Sequence, residues 1–174
     1  MQDSLLSIVK ERKMNNWDIK KSCTFTGHRP ERLELPEHQV IQWLEEQIRQ
    51  AVNDGYTEFI IGMQRGVDIW AAEAVLKLRN EGKPIRLIAA VAFRGMENRW
   101  GSSWQERYRS IITASDEVHY ISDNPGKKAF FARNHWMVDH AHRLIAVYTG
   151  APGGTKGTIE YARKLEREVV QIKN

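Results

Sequence analysis

Leu144-Ile145-Ala146-Val147-Tyr148-Thr149-Gly150-Ala151-Pro152-Gly153-Gly154-Thr155-Lys156-Gly157-Thr158-Ile159-Glu160 runs without a break from an apolar stretch, through a glycine-rich turn, into a helix-prone segment. Its first five residues do not alternate between apolar and polar, as a half-exposed strand would. A continuous apolar run suits a strand covered by helices on both faces. The turn that follows is too rich in glycine to continue the strand, and the segment from Gly157 to Glu166 has helical spacing.

The same alternation recurs on either side. Cys23 to Thr26, Phe59 to Ile61, Ile85 to Val91, Glu117 to Ile121 and Val169 to Ile172 read as further strands. Between them, Val40, Ile41, Leu44, Ile48, Ala51 and Val52 form a helical stripe that stops before Gly55. Ala71, Ala72, Val75, Leu76 and Leu78 form another that stops before Gly82 and Pro84. Ser103 and Glu106 have capping-box spacing for a third helix through Ile111 and Ile112, and Phe131 to His140 supplies a fourth. Strands alternating with helices predict an α/β fold, a three-layer Rossmann-like domain with a mainly parallel sheet of about six strands. The domain is expected over 22–174. Residues 1–21 read as a helical appendage, with an amphipathic run (Leu5, Leu6, Ile8, Val9) and a lysine-rich link.

Composition narrows the class. The 174 residues are 41% hydrophobic and 28% charged, with a net charge of +4, which suits one core and excludes a disordered chain. No stretch approaches the roughly 18 to 20 apolar residues of a membrane helix, and no apolar signal core opens the sequence, so a cytoplasmic protein without membrane contact is expected. The single cysteine, Cys23, lies inside a strand run and reads as core packing. The spacing of His135, His140 and His142 turns their side chains apart along a helix, so neither a metal nor a resident cofactor is expected.

In open parallel sheets, ligands bind beyond the carboxyl ends of the strands. Three such turns stand out. In Gly27-His28-Arg29-Pro30 a glycine is followed by two donors, and Arg29 has the fork that grips phosphate. Gly62-Met63-Gln64-Arg65-Gly66-Val67-Asp68 spaces two glycines four apart at a helix start, where backbone amides attract anions. Those glycines serve either a ligand or a tight turn. In the third, backbone amides from Gly153 to Gly157, with the Thr155 and Thr158 hydroxyls, form a candidate anion nest. Arg94, Trp100 and Trp104 follow the third strand and offer either a stacking lid or ordinary packing.

Taken in order, Gly27-His28-Arg29-Pro30, Gly62 to Asp68 with Trp70-Ala71-Ala72-Glu73, and Gly153-Gly154-Thr155 leading to Tyr161-Ala162 resemble the YpsA/YoqJ-like proteins of the SLOG superfamily. That superfamily gathers Rossmann-like domains related to the LOG phosphoribohydrolases and to DprA. The resemblance implies binding or sensing of a nucleotide-derived ligand, such as an ADP-ribose or NAD-related molecule or a mononucleotide, in a regulatory role.

The LOG enzymes pair an arginine of an Arg-Lys-x-x-Met segment with a glutamate after a Pro-Gly-Gly-x-Gly-Thr loop. Arg133-Asn134-His135-Trp136-Met137 and Pro152 through Glu160 look similar. This makes Arg133 and Glu160 catalytic candidates for cleaving a nucleoside 5′-monophosphate, with Asn134 in place of the enzymes' lysine and one extra residue in the loop. A glutamate in a helix's first turn also suits the dipole alone. Single-stranded DNA binding, by likeness to DprA, is the weaker alternative, and self-association is left open.

Overall fold

The computed structural model describes residues 17–173. Six strands, β1 (Ser22–Gly27), β2 (Glu58–Ile61), β3 (Arg86–Val91), β4 (Glu117–Tyr120), β5 (Arg143–Val147) and β6 (Glu168–Gln171), form one sheet in the order β4-β3-β2-β1-β5-β6. Every pairing is parallel, and β1 matches β5 along its length, from Cys23 opposite Arg143 to Gly27 opposite Val147.

Five helices connect the strands: α1 (Glu37–Asn53), α2 (Val67–Asn80), α3 (Ser102–Ala114), α4 (Lys127–Asp139) and α5 (Gly154–Lys164). Strand periodicity sorts the core into layers, because successive side chains point to opposite faces. Phe59, Ile61, Leu87, Ala89, Val91, Ile145 and Val147 pack with Leu44 and Ile48 of α1, Ile69 and Val75 of α2, and Ile111 of α3. Their neighbours turn the other way. Ile60, Ile88 and Ala90 meet Met137 of α4, and Leu144 and Ala146 meet Ile159 and Ala162 of α5. The expected three-layer Rossmann-like α/β fold with a six-strand sheet is the fold observed.

Some element starts differ from expectation. The capping box at Ser103 and Glu106 does not form, since α3 begins at Ser102 behind Gly101, with no side-chain cap. Gln105 explains the shift: its backbone N–H donates to the Gly101 carbonyl, and its side chain donates to the carbonyls of Glu97, Asn98 and Trp100, pinning the preceding loop. Helix α4 starts at Lys127 rather than Phe131, and α5 starts at Gly154 rather than Gly157, so part of the glycine loop is the helix's first turn.

Of the expected appendage, the run Leu5 to Val9 lies outside the described residues. Its end is docked. Trp17 donates its indole N–H to the His140 carbonyl at 2.6 Å and packs beside Ile60, Ile88 and Met137. Cys23 is fully buried, and burial pushes its thiol far above the usual range. Among the described residues, no helix is long and apolar enough to cross a membrane, and no group of three or more His, Cys, Asp or Glu residues is arranged to hold a metal.

Candidate functional site

Chain connections move outward from β1 toward β4, then cross to β5 and β6 on its other side. The helices that follow β1 and β5 therefore diverge onto opposite faces, and a crevice opens at the carboxyl ends of these two strands. A cleft of about 450 Å³ lies there, lined by residues from all three turns, a volume typical of small-ligand sites.

Three helices begin at or beside this cleft. The residues before α2, α4 and α5 are Gly66, Gly126 and Gly153, all with positive φ (88°, 126° and 140°) and none with a capping side chain. The first-turn amides of such helices have no intrahelical partner. The glycines of the three turns nevertheless do different work, as a Cβ placed on each one reveals. At Gly27 it would overlap Cβ, Cγ1 and Cγ2 of Val67; at Gly62 it would stand 2.9 Å from Asp68 Oδ2; at Gly66 it would stand 2.9 Å from Pro30 Cδ. These glycines let protein pack on protein.

The β5–α5 turn is the opposite case. A Cβ on Gly153 would meet only Arg32 Nη1 at 3.9 Å, one on Gly154 only Asn134 Nδ2 at 3.8 Å, and one on Gly157 nothing within 4 Å. Here the backbone is bare toward open space, the condition for an anion to approach amides closely.

Charge agrees. Arg29, Arg32 and Lys127 line the cleft, and among the described residues none of them has an ion-pair partner, whereas Arg49, Arg79, Arg86, Arg107 and Arg143 are each paired with a carboxylate. The 3₁₀ turn Pro30–Arg32 that follows β1 carries Arg32 to the cleft rim near Gly153.

The floor is buried and polar. Arg133 donates through Nη1 to the Gly62 carbonyl at 2.6 Å and through Nε to Asn134 Oδ1 at 3.1 Å. Asp68 accepts the Gln64 backbone N–H at 3.1 Å, an arrangement helped by Met63, whose φ of 65° turns the chain sharply while its side chain stays buried. Burial pushes the Asp68 carboxyl up, against the opposing pull of Arg133 and the Gln64 amide, and it pushes the Arg133 guanidinium down, against Asp68. An arginine remains charged through such a shift. Burial also holds His28 below the usual imidazole range, next to the Tyr148 ring at 5.7 Å.

Of the residues singled out from sequence, Gly27, His28, Arg29, Gln64, Asp68, Arg133, Asn134, Gly153, Gly154 and Thr155 line this cleft. The others lie elsewhere. Arg65 pairs with Glu31 at 2.9 Å. The Thr158 hydroxyl donates back to the Gly154 carbonyl at 2.8 Å. Glu160 is 64% exposed and stands 3.9 Å from Lys156, outside the cleft lining. Trp100 packs edge-on against Tyr108, Trp104 sits against Trp70 with Arg107 over its ring, and Arg94 lies over Tyr120.

The aromatic surface at the cleft comes instead from Phe130 and Phe131. Phe131 is 56% exposed, and among the described residues it is the exposed large hydrophobic. Sequence reading placed it at the start of a helix; in the structure α4 begins earlier, at Lys127, and Phe131 lines the cleft. Arg32 and Lys127 were missed for the same reason, since their positions depend on where short turns carry them.

Comparison with known proteins bears on the fold and the family. The pneumococcal DNA processing protein A has a similar fold (TM-score 0.66, 20% identity), covering 89% of this chain, which spans about half (51%) of that protein. DNA processing protein A of Helicobacter pylori, described for its single-stranded DNA binding mode, is similar at TM-score 0.65 and 18% identity, over 90% of this chain and 67% of that one. Closer in sequence are UPF0398 protein BH1768 of Halalkalibacterium halodurans, 28% identical over 85% of this chain and 83% of the relative, and a UPF0398 protein of Bacillus thuringiensis, 28% identical over 83% of each. The model of the YpsA family, described as the YspA SLOG family, matches residues 23–173, so the whole sheet apart from Ser22 at the start of β1, all five helices and the cleft lie within the match, and the chain belongs to that family.

Proposed function

We propose that this chain binds a nucleotide-derived ligand, an ADP-ribose or NAD-related molecule or a mononucleotide, in a sensing or regulatory role. The phosphate rests on the first-turn amides of α5 at Gly154 and Thr155, the base stacks on Phe131, and Arg29, Arg32 and Lys127 neutralise the charge. The observation that carries the reading is the coincidence of three unpaired cations with an uncapped helix start whose glycines face open space. Each element favours an anion, and their convergence favours one with several charges.

A thermal-shift panel of NAD, ADP-ribose, cyclic ADP-ribose isomers and mononucleotides tests it. A ligand at about one hundred times its dissociation constant adds roughly 2.7 kcal/mol, and for a domain of this size about 2–4 °C per kcal/mol. No shift with any member of the panel would refute the proposal.

The phosphoribohydrolase alternative finds Arg133 in the cleft but Glu160 outside it, leaving Asp68 as the carboxylate at hand. Release of ribose 5-phosphate from AMP is the result that would revive it. Single-stranded DNA binding draws on the likeness to DNA processing protein A. It calls for a groove that follows the nucleic-acid backbone and for affinity that collapses as salt rises.

A further inference from the structure

Two buried charges on the cleft floor are each half satisfied. Arg133 is 5% exposed and Asp68 is 7% exposed. Both crowd Gly62, where a Cβ would stand 3.2 Å from Arg133 Nε and 2.9 Å from Asp68 Oδ2. They nevertheless form no ion pair with each other: among the described residues, Asp68 Oδ2 takes the Gln64 amide, while Arg133 Nη1 and Nε are committed to the Gly62 carbonyl and to Asn134.

This leaves the acceptor Asp68 Oδ1 and the Nη2 donors of Arg133 without a hydrogen-bond partner among the described residues. Neither belongs to the unpartnered atoms sealed away from solvent, a set that includes His28 Nε2 and Thr149 Oγ1. Both residues line the cleft, and neither of these atoms is sealed from solvent. A charged group that loses its water to a ligand without gaining a partner costs more than a neutral one, so whatever occupies this floor is selected for pairing with both.

One small neutral group can do so. A hydroxyl donates its proton to the carboxylate oxygen and accepts from the guanidinium N–H. A phosphate placed here would be repelled by Asp68, and an ammonium by Arg133. With phosphate at the α5 start and the base against Phe131, the part of a nucleotide over this floor is the sugar.

We infer that Asp68 and Arg133 together read a ribose hydroxyl, so that the cleft takes ribonucleotides in preference to their deoxy counterparts. The inference rests on the nucleotide reading above. It names the feature of the ligand that this floor tests, and it separates a free ribonucleotide from single-stranded DNA, which lacks the 2′-hydroxyl. A site built to hydrogen-bond a hydroxyl discriminates strongly against the analogue without it, because its own polar groups are then stranded.

Calorimetric titration of the full chain with ADP, 2′-deoxy-ADP and 3′-deoxy-ADP tests this without any mutation. One of the two deoxy compounds should bind at least about tenfold more weakly than ADP, in line with the loss of a hydrogen bond to a charged group. In Asp68→Ala that preference should disappear while ADP still binds, and Arg133→Lys, which keeps the charge but not the fork, should reduce it. Binding of both deoxy compounds within that factor of ADP overturns the inference and leaves the nucleotide reading standing, as does an unchanged preference in Asp68→Ala. No binding of ADP or either analogue at millimolar concentration, together with a silent thermal-shift panel, overturns both.

Discussion

Alanine substitutions at Gly27 and Gly154 should have opposite consequences, although both residues line the same cleft. A Cβ at Gly27 would overlap three carbons of Val67, a side chain that is 1% exposed and fixed in the first turn of α2. Neither strand nor helix can retreat without opening the core, so the cost is that of overpacking, about 3 kcal/mol. At about 2–4 °C per kcal/mol, the melting temperature should fall by about 6–12 °C.

At Gly154 a Cβ meets only Asn134 Nδ2, at 3.8 Å, in ordinary van der Waals contact, and the residue is not among the glycines with positive φ. Stability should therefore stay within about 0.5 kcal/mol of the parent. If phosphate binds as proposed, the added methyl group stands where it approaches the amides, and affinity for ADP-ribose should drop about tenfold or more. Differential scanning fluorimetry of both variants, with and without ADP-ribose, reads both effects at once. If Gly154→Ala melts as early as Gly27→Ala, or binds ADP-ribose as tightly as the parent chain, the division of glycines into packing and ligand-facing sets is wrong.

Phe131→Ala should leave the melting temperature unchanged, because the ring is largely exposed, while weakening nucleotide binding by roughly 1–3 kcal/mol if a base stacks there; calorimetry decides. Glu160→Ala should alter neither stability nor ligand affinity, given its exposure, and a tenfold loss of binding would bring that carboxylate back to the site. Arg133→Ala should destabilise the fold by about 1–3 kcal/mol in urea unfolding, because the buried Gly62 carbonyl loses its donor. Burial holds the folded His28 below the ordinary imidazole value, so the unfolded chain binds this proton first as pH falls. Stability should accordingly decline below about pH 6.5, and His28→Gln should flatten that part of the profile in urea melts at pH 7.5 and 5.5.

The α/β alternation was legible because it depends on local rules. Continuous apolar runs such as Leu144 to Val147 need cover on both faces, and stripes such as Val40, Leu44 and Ile48 need one partner surface, whatever the rest of the chain does. The glycine turns were legible as turns for the same reason. What each glycine is for was not, because that depends on which distant atom stands opposite: Val67 against Gly27, Asp68 and Arg133 against Gly62, open space against Gly157.

Tertiary structure alone decided the membership of the site. Helical phase turns Glu160 to solvent and Thr158 back onto its own helix, although both are neighbours in sequence of residues that line the cleft. The strand order places β1 beside β5, and this joins Gly27 to Arg32 with Lys127 to Asn134 and Pro152 to Thr155, segments separated by more than a hundred residues of chain at the extremes. Sequence thus determined the elements and the chemistry available at their ends; the order in which the sheet assembled, set by burial of both its faces at once, determined which of those ends meet.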